Sequence, residues 1–185
     1  MSTEIIVRFC APTLAGMKVG NLFSYRCQNE RDTYELMKML AEQNDKLNPK
    51  GVYLVLVKLQ GGIALVYVYR KGQLEALLAQ EKVRAFLRGY GYHRFDVPSC
   101  LAVLKKRLLR EDFPHDIGVF LGYPLLDIQA FIENKGANCP CVGCWKAYTN
   151  LSEAKKEFHR FKRCTEIYCQ QYWNGMDITR LTVAG

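Results

Sequence analysis

Two apolar runs, Val52 to Leu59 and Ile63 to Arg70, are separated only by Gln60-Gly61-Gly62. A glycine pair between two such runs marks an antiparallel hairpin, because the tight turns that match strand twist need positive φ. Valine, leucine and tyrosine follow one another along both runs with little polar alternation, so both faces of the hairpin are expected to be covered. That requirement sets the fold class. The chain reads as a single α+β domain over residues 1–185, with a small, mostly antiparallel sheet (hairpin about 52–70) covered by several helices.

The flanking sequence supplies the cover. Asn21 to Arg26 reads as a further short strand. Asp32 with Glu35 has capping-box spacing, predicting a helix through Leu36, Met37 and Leu40 that Asn48-Pro49-Lys50-Gly51 stops. Lys71-Gly72 closes the second hairpin strand. From Gln73 to Lys135 the pattern is mainly helical, with Pro98, Pro114 and Pro124 each placed to open a helix. Trp145 to Tyr148 alternates like a strand. Asn150 with Glu153 then caps a long helix to about Trp173, whose stripe of Leu151, Ala154, Phe158, Phe161, Tyr168 and Tyr172 faces the core.

With 185 residues, 49% of them apolar and 24% charged, the chain is long enough to bury a core and too apolar to be disordered. No apolar run reaches the roughly 20 residues of a membrane span. The start, Met1-Ser2-Thr3-Glu4, lacks the basic and apolar regions of an export signal, so a cytoplasmic location is expected. The net charge of +8 raises an anionic partner, nucleic acid included. No recognition motif accompanies the basic residues, and Lys105-Lys106-Arg107 with Arg110, and Lys155 to Arg163, read as solvated helix faces.

Three constellations carry candidate chemistry. Cys139, Cys141 and Cys144 form a C-x-C-x-x-C cluster suited to zinc or an iron–sulfur cluster, with Cys164 or Cys169 to complete it. The alternative is a cysteine-rich turn. Cys10 and His115 are a candidate nucleophile and base, with Lys18 adding positive charge and Thr13 a donor. His115 and Asp116 fall in a first helical turn, where free N–H groups favour anions. Asp127 is read as merely complementing the next helix start. Tyrosines beside glycines, at Gly89 to Tyr92 and at Gly122-Tyr123-Pro124, are placed to line a flat ligand or to cover a core edge. No dinucleotide fingerprint or phosphate-binding loop is present.

Ala11-Pro12-Thr13-Leu14-Ala15-Gly16 with Lys18, Phe113-Pro114-His115-Asp116-Ile117-Gly118 through Leu121-Gly122-Tyr123-Pro124, and Trp145-Lys146 with Tyr148 occur in that order. Together they resemble a bacterial family catalogued as domain of unknown function 3793. The resemblance implies a stand-alone cytoplasmic bacterial protein and brings no activity with it. The family pattern does not require three cysteines before the tryptophan, and Cys144 stands where an aromatic residue is frequent. Weight therefore moves to Thr13, Lys18, His115 and Tyr123.

The leading expectation is a small anionic ligand or a metal at a site joining Cys10–Lys18 to His115–Tyr123, with Thr13, Lys18, Asp116 and Tyr123 as ligand-binding residues. The alternatives are a thiol-dependent hydrolase or transferase using Cys10 and His115, and a basic partner-binding module without chemistry.

Overall fold

The computed structural model describes residues 3–110 and 112–185; the Met1-Ser2 start read above lies outside them. At its centre is a three-stranded antiparallel sheet of β1 (Gly20–Arg26), β2 (Val52–Gln60) and β3 (Ile63–Arg70), in the order β1-β3-β2. Gln60 pairs with Ile63, so the turn is Gly61-Gly62 alone, with φ of 56° and 71°. Positive φ at both positions is what a two-residue hairpin turn requires. The expected hairpin and the α+β class are both present.

Alternation along β3 divides the core in two. Ala64, Val66 and Val68 pack with α1 (Glu4–Leu14), α2 (Glu30–Leu47) and α9 (Ile178–Leu181). Tyr67 and Tyr69 face the other way, into a cluster built by α3 (Lys71–Leu78), α4 (Glu81–Arg88), α5 (Val97–Leu108), α6 (Ile117–Phe120) and α7 (Leu125–Glu133). Both faces of the sheet are therefore covered, as its unbroken apolar runs demand. The long α8 (Leu151–Trp173) lies along α1, and a two-residue ladder, β4 (Cys141–Val142) with β5 (Lys146–Ala147), replaces the longer strand expected at 145–148.

Several boundaries differ from expectation for local reasons. The capping box of α2 begins earlier: Asn29 Oδ1 accepts from Asp32 N at 2.9 Å, and Asp32 Oδ2 accepts from Gln28 N at 2.8 Å. Asn150 precedes α8 in a left-handed conformation (φ 46°) with no side-chain cap. The segment from Cys10 to Leu14 is helical, with Pro12 inside the last turn of α1 rather than in a shaped loop.

Arg70, at the end of β3, is 3% exposed. Its guanidinium donates to the carbonyls of Thr13 (2.6 Å), Leu14 and Val183 (2.7 Å). A cation at the last carbonyls of α1 satisfies groups that the helix leaves unpaired and opposes the negative end of its dipole. Glycine is required at Gly20, where a Cβ would lie 2.6 Å from the Tyr67 ring and 2.9 Å from Phe120 O. That close approach lets the Tyr67 hydroxyl donate to Phe120 O, tying β3 to α6.

Candidate functional site

Lys18 follows α1 in the turn that leads into β1, and its side chain is 7% exposed. Its Nζ lies 5.1 Å from the centre of the Tyr123 ring and 6.0 Å from that of Phe161. Among the described residues no carboxylate pairs with this ammonium and no hydrogen bond is made to it. Burial pulls its pKa down to about 8, opposed by Cys144 and Cys10. A buried cation supported only by aromatic faces is costly to keep charged, which is why such groups mark candidate sites.

Lys18 lines a cleft of about 500 Å³ whose apolar walls include Phe9, Leu22, Leu121, Tyr123 and Phe161. Asn21 also faces this cleft. Its Oδ1 accepts from the Thr13 hydroxyl at 2.7 Å, leaving the amide NH₂ on the cleft wall. Tyr123, Leu121 and Cys144 then separate this cleft from a second groove of about 360 Å³, lined by Phe113, His115, Phe131 and Trp145 among others. The Tyr123 hydroxyl donates to Cys144 O at 2.9 Å, closing the wall. Burial pushes the Tyr123 phenol up to about 12.

The two sequence segments therefore do meet, at Lys18 over Tyr123. Lys18 and His115 nevertheless open to different sides of the shared wall. His115 is exposed, packs edge-on against Phe131 at 5.0 Å, and lies in a turn before the four-residue α6. That helix is too short to supply the anion-favouring start expected at residues 115–116. Cys10 is fully buried among Ile6, Val7, Leu14 and their neighbours, and no hydrogen bond joins it to His115. Burial pushes the Cys10 thiol far up, with Lys18 only partly opposing. A nucleophilic cysteine needs the reverse shift and access to solvent, and Cys10 has neither.

Asp116 and Thr13 are not free to bind a ligand. Asp116 is fully buried, and its carboxylate accepts from Arg107 Nε at 3.1 and 3.0 Å, from an Arg107 terminal nitrogen at 2.7 Å and from the Tyr92 hydroxyl at 2.7 Å. It is one half of an internal ion pair. Thr13 is fully buried and spends its hydroxyl on Asn21.

The cysteines do not converge. Among the described residues no three His, Cys, Asp or Glu side chains are grouped to hold a metal ion. The Cys139 thiol donates to Cys141 O at 3.0 Å, Cys144 is exposed beside Lys18, and Cys164 is buried on α8. The short β4–β5 hairpin spreads the first three along its course, so close spacing in sequence does not become a common centre in space.

Asp127, read as a helix-start acid, does more. Only 2% exposed, it accepts from Trp145 Nε1 (2.8 Å), Tyr148 N (2.9 Å), Thr149 N (2.7 Å) and the Thr149 hydroxyl (2.8 Å). These bonds fasten the hairpin against α7 and hold Trp145 in its place, stacked on Tyr123 at 5.5 Å. Asn21, Phe161 and Trp145 escaped the sequence reading because each looked like an ordinary strand or core residue. Three of the five basic residues from Lys155 to Arg163 stand beside acids one turn away (Lys156–Glu153, Arg160–Glu157 and Arg163–Glu166), which weakens the case for a basic docking face.

The fold and its two adjoining cavities define an α+β protein with a buried lysine, unpartnered among the described residues, between a central sheet and a long helix. The family model described as protein of unknown function (DUF3793) matches residues 6–182, and the chain belongs to that family. Neither the curated proteins nor the solved structures offer a match to the chain. No helix among the described residues is long and apolar enough to cross a membrane.

Proposed function

We propose that the protein binds a small organic anion with an apolar or aromatic body in the cleft beside Lys18. The observation that carries this reading is the Lys18 ammonium itself: buried, without a carboxylate or hydrogen-bond partner among the described residues, and facing a cleft. Water-poor surroundings strengthen its attraction for a carboxylate or phosphate, because the alternative is an unpaired buried charge. The rings of Phe9, Tyr123 and Phe161 suit an apolar body, and the Asn21 amide supplies a second donor for an acid.

Nuclear magnetic resonance titration tests it with three probes: phenylacetate, phenyl phosphate and neutral phenylacetamide. The two anions are expected to shift resonances of Asn21, Tyr123 and Phe161. Phenylacetamide is expected to bind at least about tenfold more weakly, the size of one charge-assisted hydrogen bond. In Lys18→Gln the preference for anions disappears. Equal binding of acid and amide by the unaltered protein would overturn the reading.

A further inference from the structure

We propose that Lys18 condenses reversibly with 2-oxo acids bearing an aromatic or branched apolar side chain, holding them as an imine. The inference rests on the anion-binding reading above and names the class of ligand that the same cleft takes.

Three features converge on this class. First, Lys18 Nζ is buried against two ring faces at 5.1 and 6.0 Å and makes no hydrogen bond among the described residues, so no acceptor must be displaced before its lone pair can react. Lys18 also borders a further cleft of about 320 Å³. The titratable groups across the two are Cys10 on α1, Tyr123, Cys144 in the hairpin, Asp127 on α7, bound by Trp145, Tyr148 and Thr149, and Glu153 (paired with Lys156), Glu157, Lys162 and Glu166 of α8. Glu157 is held by Arg160, and Glu166 stands 3.8 Å from Arg163. Second, burial pulls the ammonium down to about 8. At neutral pH its neutral fraction then exceeds that of an ordinary lysine by roughly two orders of magnitude.

Third, charge selects the 2-oxo acid over a simple aldehyde. A protonated imine made from an aldehyde would remain an unpaired buried cation, as costly as the ammonium it replaces. A 2-oxo acid brings its own counter-ion, because the carboxylate sits on the carbon next to the new C=N bond. The attraction that draws the acid to Lys18 is thus kept in the product. Asn21 offers its amide to that carboxylate, and the rings of Phe9 and Phe161 take the side chain.

The step balances without a further reagent. The ammonium first gives up a proton, and the freed lone pair attacks the carbonyl carbon, forming the C–N bond. The carbonyl oxygen is protonated, a second proton leaves nitrogen, and the hydroxyl departs as water when it too is protonated. The nitrogen keeps its one remaining proton as its lone pair closes the C=N bond, so the product is the protonated iminium. Ammonium and ketone become iminium and water, with no change of oxidation state.

The test is trapping. The protein is incubated with phenylpyruvate and sodium cyanoborohydride, and the product is read by intact mass and peptide mapping. A single adduct is expected, heavier by the acid less one oxygen atom, located at Lys18 and lost in Lys18→Arg. Phenylacetate binding by the unaltered protein, measured in parallel, separates the two claims. If phenylacetate binds and no Lys18 adduct forms, or the adduct is spread over surface lysines, the imine proposal falls and the anion site stands. If phenylacetate does not bind, the anion site falls as well. Because the adduct is located on the unaltered chain, the result does not depend on whether the arginine variant folds.

Discussion

Trp145 donates its indole N–H to Asp127 at 2.8 Å, and that bond fixes a ring that stacks on Tyr123 at 5.5 Å and meets Phe158 edge-on at 4.5 Å. A carboxylate on α7 thereby sets the position of the aromatic wall between the two cavities. Asp127→Asn keeps an acceptor but turns an NH₂ toward at least one of four donors. We expect a loss of about 2–4 kcal/mol in urea unfolding, with faster amide exchange at Tyr148 and Thr149 than elsewhere.

The Asp116–Arg107 pair behaves differently when broken than when replaced. Arg107→Met leaves a fully buried carboxylate with the Tyr92 hydroxyl as its remaining partner among the described residues, and should cost about 3–5 kcal/mol. Replacing both partners, Asp116→Leu with Arg107→Met, should recover most of that loss. Chemical denaturation of the two single variants and the double variant closes the cycle.

Lys18 is expected to lower stability at neutral pH. Its folded pKa of about 8 lies below the ordinary value of 10.5, so between those values the unfolded chain binds more protons and stability rises with pH. Below about pH 8 both states are protonated and the burial cost is present in full. Lys18→Met should therefore stabilise the protein by about 2 kcal/mol at pH 7, with the gain fading toward pH 10 to 11. Unfolding curves at those pH values decide it; a variant less stable than the parent at pH 7 would show that the lysine supports the fold.

Cys144 is the thiol to label. It is exposed, whereas Cys10, Cys27, Cys100 and Cys164 are buried. Burial nonetheless raises its pKa, with Lys18 opposing. Iodoacetamide should modify Cys144 slowly at pH 7 and faster at pH 9, and more slowly again in Lys18→Met. Cys10 should stay unmodified until the protein unfolds. Peptide mapping after timed alkylation reads all three expectations.

What the sequence made legible was local. The hairpin was readable because β-branched runs and a glycine pair each demand it, and the Asn48-Pro49 stop is a local backbone constraint. The motif segments around Lys18 and Tyr123 were also readable as neighbours of a site. What was not readable depends on partners far along the chain. Asp116 looks available until Arg107 and Tyr92, 9 and 24 residues before it, are brought to it. The motif marks Lys18 as a candidate, but its burial against Tyr123 and Phe161 becomes visible only once residues more than a hundred positions away cover it. The cysteine cluster misleads because a tight hairpin aims neighbouring side chains apart. Pro12 misleads because a proline in a last helical turn resembles, in sequence, one in a loop.

The clasp at Arg70 bears on how the molecule is made. Its guanidinium holds the end of α1 and the carbonyl of Val183 together, and α1 packs along α8. On a ribosome the first of these elements emerges well over a hundred residues before its companions. The face of α1 that meets β1 and β3 can be covered once Arg70 is out, but the face that meets α8 must wait until nearly the whole chain has been synthesised. Long-range pairing of this kind slows folding and prolongs the exposure of apolar surface, so the newborn chain is a natural client for chaperones in a way the finished protein is not.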